Sequence, residues 1–175
     1  MRTLDIIIVA GVSGCGKSTV AKALAETTGY PFLEGDEYHP AENVAAMAAG
    51  TPLTDEMRWP WLRNLAASAV EKASRAGGAV ISCSALKRAY RDLLRAQTGG
   101  CRFVMLTGDR DLIYERMSAR TDHYMPPTLL DSQFADLEGP DATETDLIEV
   151  AIDGSSAQVI KQAHVMLNFD LHPKE

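Results

Sequence analysis

Ile6-Ile-Ile-Val-Ala-Gly-Val-Ser-Gly-Cys-Gly-Lys-Ser18 is the stretch that decides the fold. Residues 6–10 form a continuous, β-branched apolar run, the pattern of a strand buried on both faces of a parallel sheet. Residues 11–18 match G-x-x-x-x-G-K-[ST] without a mismatch. The glycines let the backbone curl so that several N–H groups face one anion, and a helix opening near Lys17 adds its positive end. Lys17 is placed to reach the β- and γ-phosphates and the Ser18 hydroxyl to coordinate Mg²⁺. The expected nucleotide contacts are therefore Gly11, Val12, Ser13, Gly14, Cys15, Gly16, Lys17, Ser18 and Thr19. Within them Cys15 reads as a small filler side chain.

Outward from this loop, apolar runs and helical patterns alternate. Short strands are expected at residues 32–33, 79–83, 102–107 and 148–152, and helices at 17–27, 40–49, 56–76, 86–97, 109–120, 129–137 and 155–167, the last capped by Ser155 or Ser156. Strands alternating with helices argue for one α/β domain over residues 1–175, a parallel sheet with helices on both faces. The Pro-Pro punctuation at 126–127 and the polar residues before it mark a mobile lid insertion at about 120–138.

The chain has 175 residues and a net charge of −7 from 17 Lys plus Arg and 24 Asp plus Glu. An acidic chain is a poor match for a nucleic-acid backbone, so anions must be met by local positive charge. The run at 6–10 is far too short to span a bilayer, and no charged leader precedes it. Three cysteines without a CxxC pair fit a reducing cytosol, so a cytoplasmic protein with neither membrane nor nucleic-acid partner is expected.

A phosphate loop serves kinases, switches and motors alike. The N-K-x-D guanine motif of a GTPase switch is absent, and the chain is short for a motor. A small-molecule kinase needs an acid near the metal, a group on the acceptor hydroxyl, positive charge around the phosphoryl group and a lid. Glu34 and Asp36 follow the second strand at its carboxyl end, where α/β sites form; they read either as site acids or as an acidic turn with a helix cap near Asp36. Arg58 is suited to clamp a carboxylate bidentately. Ser82-Cys-Ser-Ala-Leu-Lys-Arg88 follows the third strand and leads into Tyr90, Arg91 and Arg95, either anion contacts or a solvated helix face. Arg116 and Arg120 share a helix face before His123, which reads as a polar lid residue. Trp59 and Trp61 read as packing.

Taken together, these segments resemble the gluconokinases, small P-loop kinases related in fold to shikimate and adenylate kinases. The resemblance is carried by the loop through Thr19, Gly35-Asp-Glu-Tyr-His-Pro40 with Asn43 and Met47, Gly50-Thr-Pro-Leu-Thr-Asp55, Arg58-Trp-Pro-Trp-Leu62, Cys83-Ser-Ala-Leu-Lys-Arg88 with Tyr90-Arg-Asp-Leu-Leu-Arg95, Arg120 with His123-Tyr-Met-Pro126, and Leu130-Asp-Ser-Gln-Phe134 with Leu137-Glu138. It implies a five-stranded parallel sheet with a mobile lid, like the nucleoside-monophosphate kinases. It also implies ATP- and Mg²⁺-dependent phosphorylation of D-gluconate at its terminal hydroxyl. Asp36 would hold that hydroxyl, and Ser18 and Glu34 would serve the metal. Arg58, Lys87 and the neighbouring His39, Ser84 and Arg91 would hold the sugar acid. Lys17 and Arg120 would act on the transferring group, and Arg116 and Asp153 would border the nucleotide. Two positions depart from the family pattern: Glu34 stands where Asp is frequent, and Met57 where a further acid is common. Monomer and homodimer are both left open.

Overall fold

The computed structural model describes residues 4–119 and 126–168. Five parallel strands form one sheet in the order β2-β3-β1-β4-β5, with β1 Asp5–Ala10, β2 Phe32–Glu34, β3 Gly78–Ser82, β4 Arg102–Thr107 and β5 Leu147–Ala151. Alternation along β1 splits the core in two. Ile6 and Ile8 face one side with Trp61, Leu62, Leu65, Tyr90 and Leu94, from α3 (Asp55–Ala76) and α4 (Arg88–Thr98). Ile7 and Val9 face the other with Val20, Leu24, Val159 and Ala163, from α1 (Lys17–Thr28) and α7 (Ser156–Met166). A strand covered on both faces must be apolar throughout, which is why residues 6–10 lack the polar alternation of a half-exposed strand.

The remaining helices are α2 (Ala41–Ala48), α5 (Arg110–Ser118) and α6 (Pro127–Asp136). All five expected strands and all seven expected helices are present, the strand at 102–107 with the expected bounds and the others with shifted ends. Ser155 caps α7 in a capping box with Gln158, resolving the choice between the two serines. The helix expected from residue 86 starts at Arg88, because Ser84 to Lys87 form a loop. Within that loop Ala85 takes a positive φ of 40° and the Leu86 side chain is buried. The acidic segment after β2 folds as a 3-10 turn at Gly35–Tyr38, the turn being one of its two readings, with its N-cap at Glu34 and not at Asp36. It separates Glu34 from Asp36, which alternation along a strand would have aligned.

Of the segment expected to form a lid, residues 120–125 lie outside the described residues, and with them Arg120 and His123. The described remainder, α6, is packed: Leu130 is fully buried, and the Glu138 N–H donates to the Leu86 carbonyl at 2.9 Å. Among the described residues, no helix is long and apolar enough to cross a membrane.

Candidate active site

The phosphate loop joins β1 to α1 over the carboxyl ends of the strands. Gly16 is the N-cap of α1, in the left-handed region at φ 97°, and no side chain caps the helix. Gly16 lines an open cavity together with Lys17, Ser18 and Thr19 at the start of α1. Uncapped N–H groups at a helix start, with no acid in the first turn, form an anion site. The Lys17 ammonium folds back over the loop and donates to the Val12 carbonyl at 3.0 Å. Cys15 points away from the cavity into the core at 2% exposure, and burial pushes its thiol pKa up; it is a filler.

Beside the loop, the Ser18 hydroxyl donates to Glu34 Oε2 at 2.5 Å, and the Ser82 hydroxyl donates to the other carboxylate oxygen. Glu34 and Ser82 are register partners of β2 and β3. The 3-10 turn comes close here: a Cβ on Gly35 would collide with the Ser82 carbonyl oxygen, so only glycine lets the chain turn away directly after Glu34. Ser18 and Glu34 thus present adjacent hard oxygen donors on the same cavity wall as Lys17, a set that fits Mg²⁺. Among the described residues, no group of three or more His, Cys, Asp or Glu forms a dedicated metal cage.

That cavity encloses about 660 Å³ and is lined by Ser13, Gly14, Gly16, Lys17, Ser18, Thr19, Glu34 and Asp36, with an apolar wall from Val44, Met47, Met117 and Leu129. A smaller cavity of about 80 Å³ adjoins it, lined by His39, Arg58, Ser84, Ser132 and Gln133 among others. Ser13, Lys17, Asp36, Met47 and Leu129 line both. The loop and the predicted acceptor residues therefore meet at one seam.

Asp36 projects into this seam with its side chain 82% exposed. His39 is its opposite: its side chain is 3% exposed and stacks on the Trp61 indole, with centroids 4.0 Å apart. Asn43 Nδ2 donates to the Met57 carbonyl at 2.9 Å and faces His39 Nδ1 at 3.2 Å. That network assigns an acceptor Nδ1 and leaves the ring proton on Nε2, which lies 4.0 Å from Asp36 Oδ1. Burial lowers the His39 pKa to about 4, with Asp36 opposing and Arg58 reinforcing the shift. His39 is thus a neutral donor at the pocket wall.

Arg58 is 6% exposed, its Nε donates to the Leu53 carbonyl at 3.4 Å, and its Nη2 lies 3.5 Å from Asp136 Oδ2. Asp136, at the end of α6, is thus the acid that faces Arg58. Lys87 lines neither cavity. Its ammonium lies 3.0 Å from Asp55 Oδ1 and 3.5 Å from Asp136 Oδ1, and Asp55 also accepts from the Tyr90 hydroxyl. The hydrogen bond from Lys87 raises the lysine's pKa, while those from Tyr90 and Lys87 lower the pKa of Asp55.

Arg91, expected at the substrate, is instead fully buried away from both cavities. It meets Glu144 at 2.7 Å through both Nε and Nη2 and donates to the carbonyls of Ala85, Leu86 and Glu138. With its donors saturated inside the protein, it is a structural clamp between α4 and the segment before β5. Arg88 is likewise committed to Asp92 and Asp141. Arg116 donates to the Ile152 carbonyl at 2.6 Å and the Gly154 carbonyl at 3.4 Å. It thereby braces the turn that carries exposed Asp153, and neither residue lines the two cavities.

Sequence reasoning missed four contributors. Ser82 is a polar residue ending a buried strand, a signal that was available. Asn43 and Trp61 orient His39, and Gln133 meets Ser13; their partners are not visible from local spacing.

The shikimate kinase family model matches residues 13–165. The thermoresistant gluconokinase of Escherichia coli K12 is 42% identical over 166 residues, covering 90% of this chain and 94% of the relative. A crystal structure of a gluconokinase from Sinorhizobium meliloti 1021 superposes with a TM-score of 0.83 at 45% identity, covering 96% of this chain and 94% of that one. A shikimate kinase from Bacteroides thetaiotaomicron, 16% identical at a TM-score of 0.67, shares the fold. With its phosphate loop, its parallel sheet and these relatives, the chain is a kinase that belongs to the gluconokinase family, within the wider shikimate-kinase group.

Proposed function

We propose that this kinase transfers the terminal phosphoryl group of ATP to the terminal hydroxyl of D-gluconate, giving 6-phospho-D-gluconate, by the residue roles that follow. Phosphorylation of gluconate with ATP is the activity of the family to which the chain belongs. The observation that carries the residue-level account is the shared seam: Ser13, Lys17 and Asp36 border the nucleotide cavity and the acceptor cavity at once.

The amides of the loop and the start of α1 bind the inner phosphates, and Lys17 neutralises charge on the β/γ oxygens. When bound at Ser18 and Glu34, Mg²⁺ supplies electrostatic stabilisation of the phosphate oxygens. Asp36 accepts a hydrogen bond from the acceptor hydroxyl and aims it in line. In a loose transition state this positioning outweighs early deprotonation. Arg58 meets the sugar-acid carboxylate, while His39 Nε2–H and Ser84 hold hydroxyls. Lys87 acts one step back, holding Asp55 and Asp136 beside Arg58. Arg120 acts on the transferring group, and the apolar wall of Met117 and Leu129 helps exclude water. The protein works in the cytoplasm.

A coupled ADP-release assay across gluconate, shikimate and related sugar acids tests this. Turnover stimulated by gluconate, with shikimate at background, is expected. Stimulation by shikimate but not gluconate overturns the acceptor assignment.

A further inference from the structure

One side chain at the seam has no part in the reaction just described. Gln133 on α6 accepts the Ser13 N–H on Oε1 at 2.7 Å and donates from Nε2 to Ser13 Oγ at 3.0 Å. A single amide thus clasps the N–H and the hydroxyl of one loop residue from 120 positions away. The Ser13 N–H belongs to a loop whose amides bind phosphate, so the Gln133 carbonyl occupies it as a neutral substitute for a phosphoryl oxygen.

The position of Ser13 indicates which phosphoryl group is involved. Gly14, Gly16, Ser18 and Thr19 line only the nucleotide cavity, whereas Ser13 and Lys17 also line the acceptor cavity. The inner phosphates belong at the start of α1. Ser13 stands on the acceptor side of the loop, where the departing group must pass. Gln133 lines that acceptor cavity together with Asp36 and Arg58.

We propose that Gln133 is a direct contact of the transferring phosphoryl group. Without a triphosphate, Oε1 holds the Ser13 N–H. A terminal phosphoryl oxygen takes that N–H over, and the Gln133 NH₂ group turns from Ser13 Oγ to donate to the same phosphoryl group as it crosses to the acceptor. No bond to Gln133 forms or breaks; the side chain adds a neutral donor where negative charge is spread over the equatorial oxygens. ADP lacks that group and leaves the clasp closed, so the clasp distinguishes ATP from ADP. This rests on the phosphoryl transfer proposed above.

The test uses Gln133→Ala and Gln133→Glu in the full chain, with unfolding midpoints measured alongside. Binding of ADP and of a non-hydrolysable ATP analogue is measured without acceptor, then kcat and KM with ATP and gluconate. Gln133→Ala is expected to bind ADP within about twofold of wild type and to lose roughly 10- to 100-fold in kcat, with a smaller change in KM for gluconate. Gln133→Glu keeps an acceptor for the Ser13 N–H but sets a carboxylate against the terminal phosphate. It is expected to weaken the ATP analogue at least about tenfold more than ADP. Wild-type kcat in Gln133→Ala, or equal weakening of ADP and analogue in both variants, overturns the proposal and marks Gln133 as a strap for α6. The nucleotide arm needs no acceptor, so an acceptor other than gluconate would leave its outcome readable.

Discussion

The Ser18 hydroxyl lies 2.5 Å from Glu34 Oε2, a bond that joins the first turn of α1 to the end of β2. Glu34 is longer by one methylene than the Asp frequent in the family, and it uses that reach to accept from Ser82 on β3 as well. Gln at position 34 keeps the size and removes the charge. Glu34→Gln is expected to raise the Mg²⁺ concentration for half-maximal activity about 10- to 100-fold. Titration of activity with Mg²⁺ at saturating ATP checks this, and an unchanged Mg²⁺ dependence would separate Glu34 from the metal.

Asp36 is the exposed acid of the pair, so replacing it carries little cost to the fold. Asp36→Asn is expected to lower kcat by roughly 10²- to 10⁴-fold while KM for ATP stays within about twofold. Steady-state kinetics with each substrate varied in turn supplies both numbers. Wild-type turnover would remove Asp36 from the acceptor hydroxyl.

Arg58 presents a planar fork held by the Leu53 carbonyl and Asp136. Lysine keeps the charge and loses the fork. Arg58→Lys should raise KM for gluconate about 10- to 100-fold and leave KM for ATP near wild type, because only the acceptor side touches Arg58. A matching rise in both Michaelis constants would place Arg58 outside the acceptor pocket.

His39 carries a pKa near 4, below the 6.5 of a free imidazole. Between these values the unfolded chain binds a proton that the folded chain does not, so stability rises with pH from about 4 to 6.5 and is fully present above. Burial, which disfavours the charged ring, is the main cause, opposed by Asp36 and reinforced by Arg58. The contribution lost at acid pH is about 3 kcal/mol. In His39→Gln, unfolding free energy measured from pH 4 to 7 should lack this slope. A variant curve parallel to wild type would remove His39 as the source.

Glu144 has its carboxyl pushed down to about 2, first by the hydrogen bond from Arg91 and then by Arg95, against a burial penalty. The stability it adds is therefore present above about pH 4.5 and is lost as the pH falls towards 2. Glu144→Ala leaves the fully buried Arg91 without its partner, at a cost of about 3–5 kcal/mol. A midpoint drop on the order of 10 °C is expected by thermal unfolding. The pair lines neither cavity, so kcat well below the transition should remain near wild type.

Much of the fold was legible because its signals are local. Five strands show themselves as short apolar runs, and the run at 6–10 is unbroken because both faces are covered. The phosphate loop is legible for the same reason, since an anion cradle made of consecutive amides is encoded in consecutive residues. A turn near Asp36 was only one of two readings, and the 3-10 form at Gly35–Tyr38 was not legible. It depends on Gly35 approaching the Ser82 carbonyl 47 positions away, a contact that no window around Gly35 contains.

The charged residues mark the boundary most sharply. Lys87, Arg88, Arg91 and Arg95 stand close together in sequence and all looked available to an anion. Arg91 is claimed by Glu144, 53 positions on, Lys87 by Asp55, 32 positions back, and Arg95 by Asp146. Helical spacing shows which of them share a face but not what the neighbouring chain brings to that face.

The sequence by itself determined a phosphate-binding loop on a parallel sheet and, through its family segments, a kinase for a small acid. Both rest on backbone chemistry and residue types held within short windows. Only the tertiary structure decided which cations are spent inside the fold, which way the His39 proton points and that Gln133 reaches Ser13. Each of these depends on segments tens of residues apart packing together, where burial and a competing hydrogen-bond partner outweigh what a side chain would do alone.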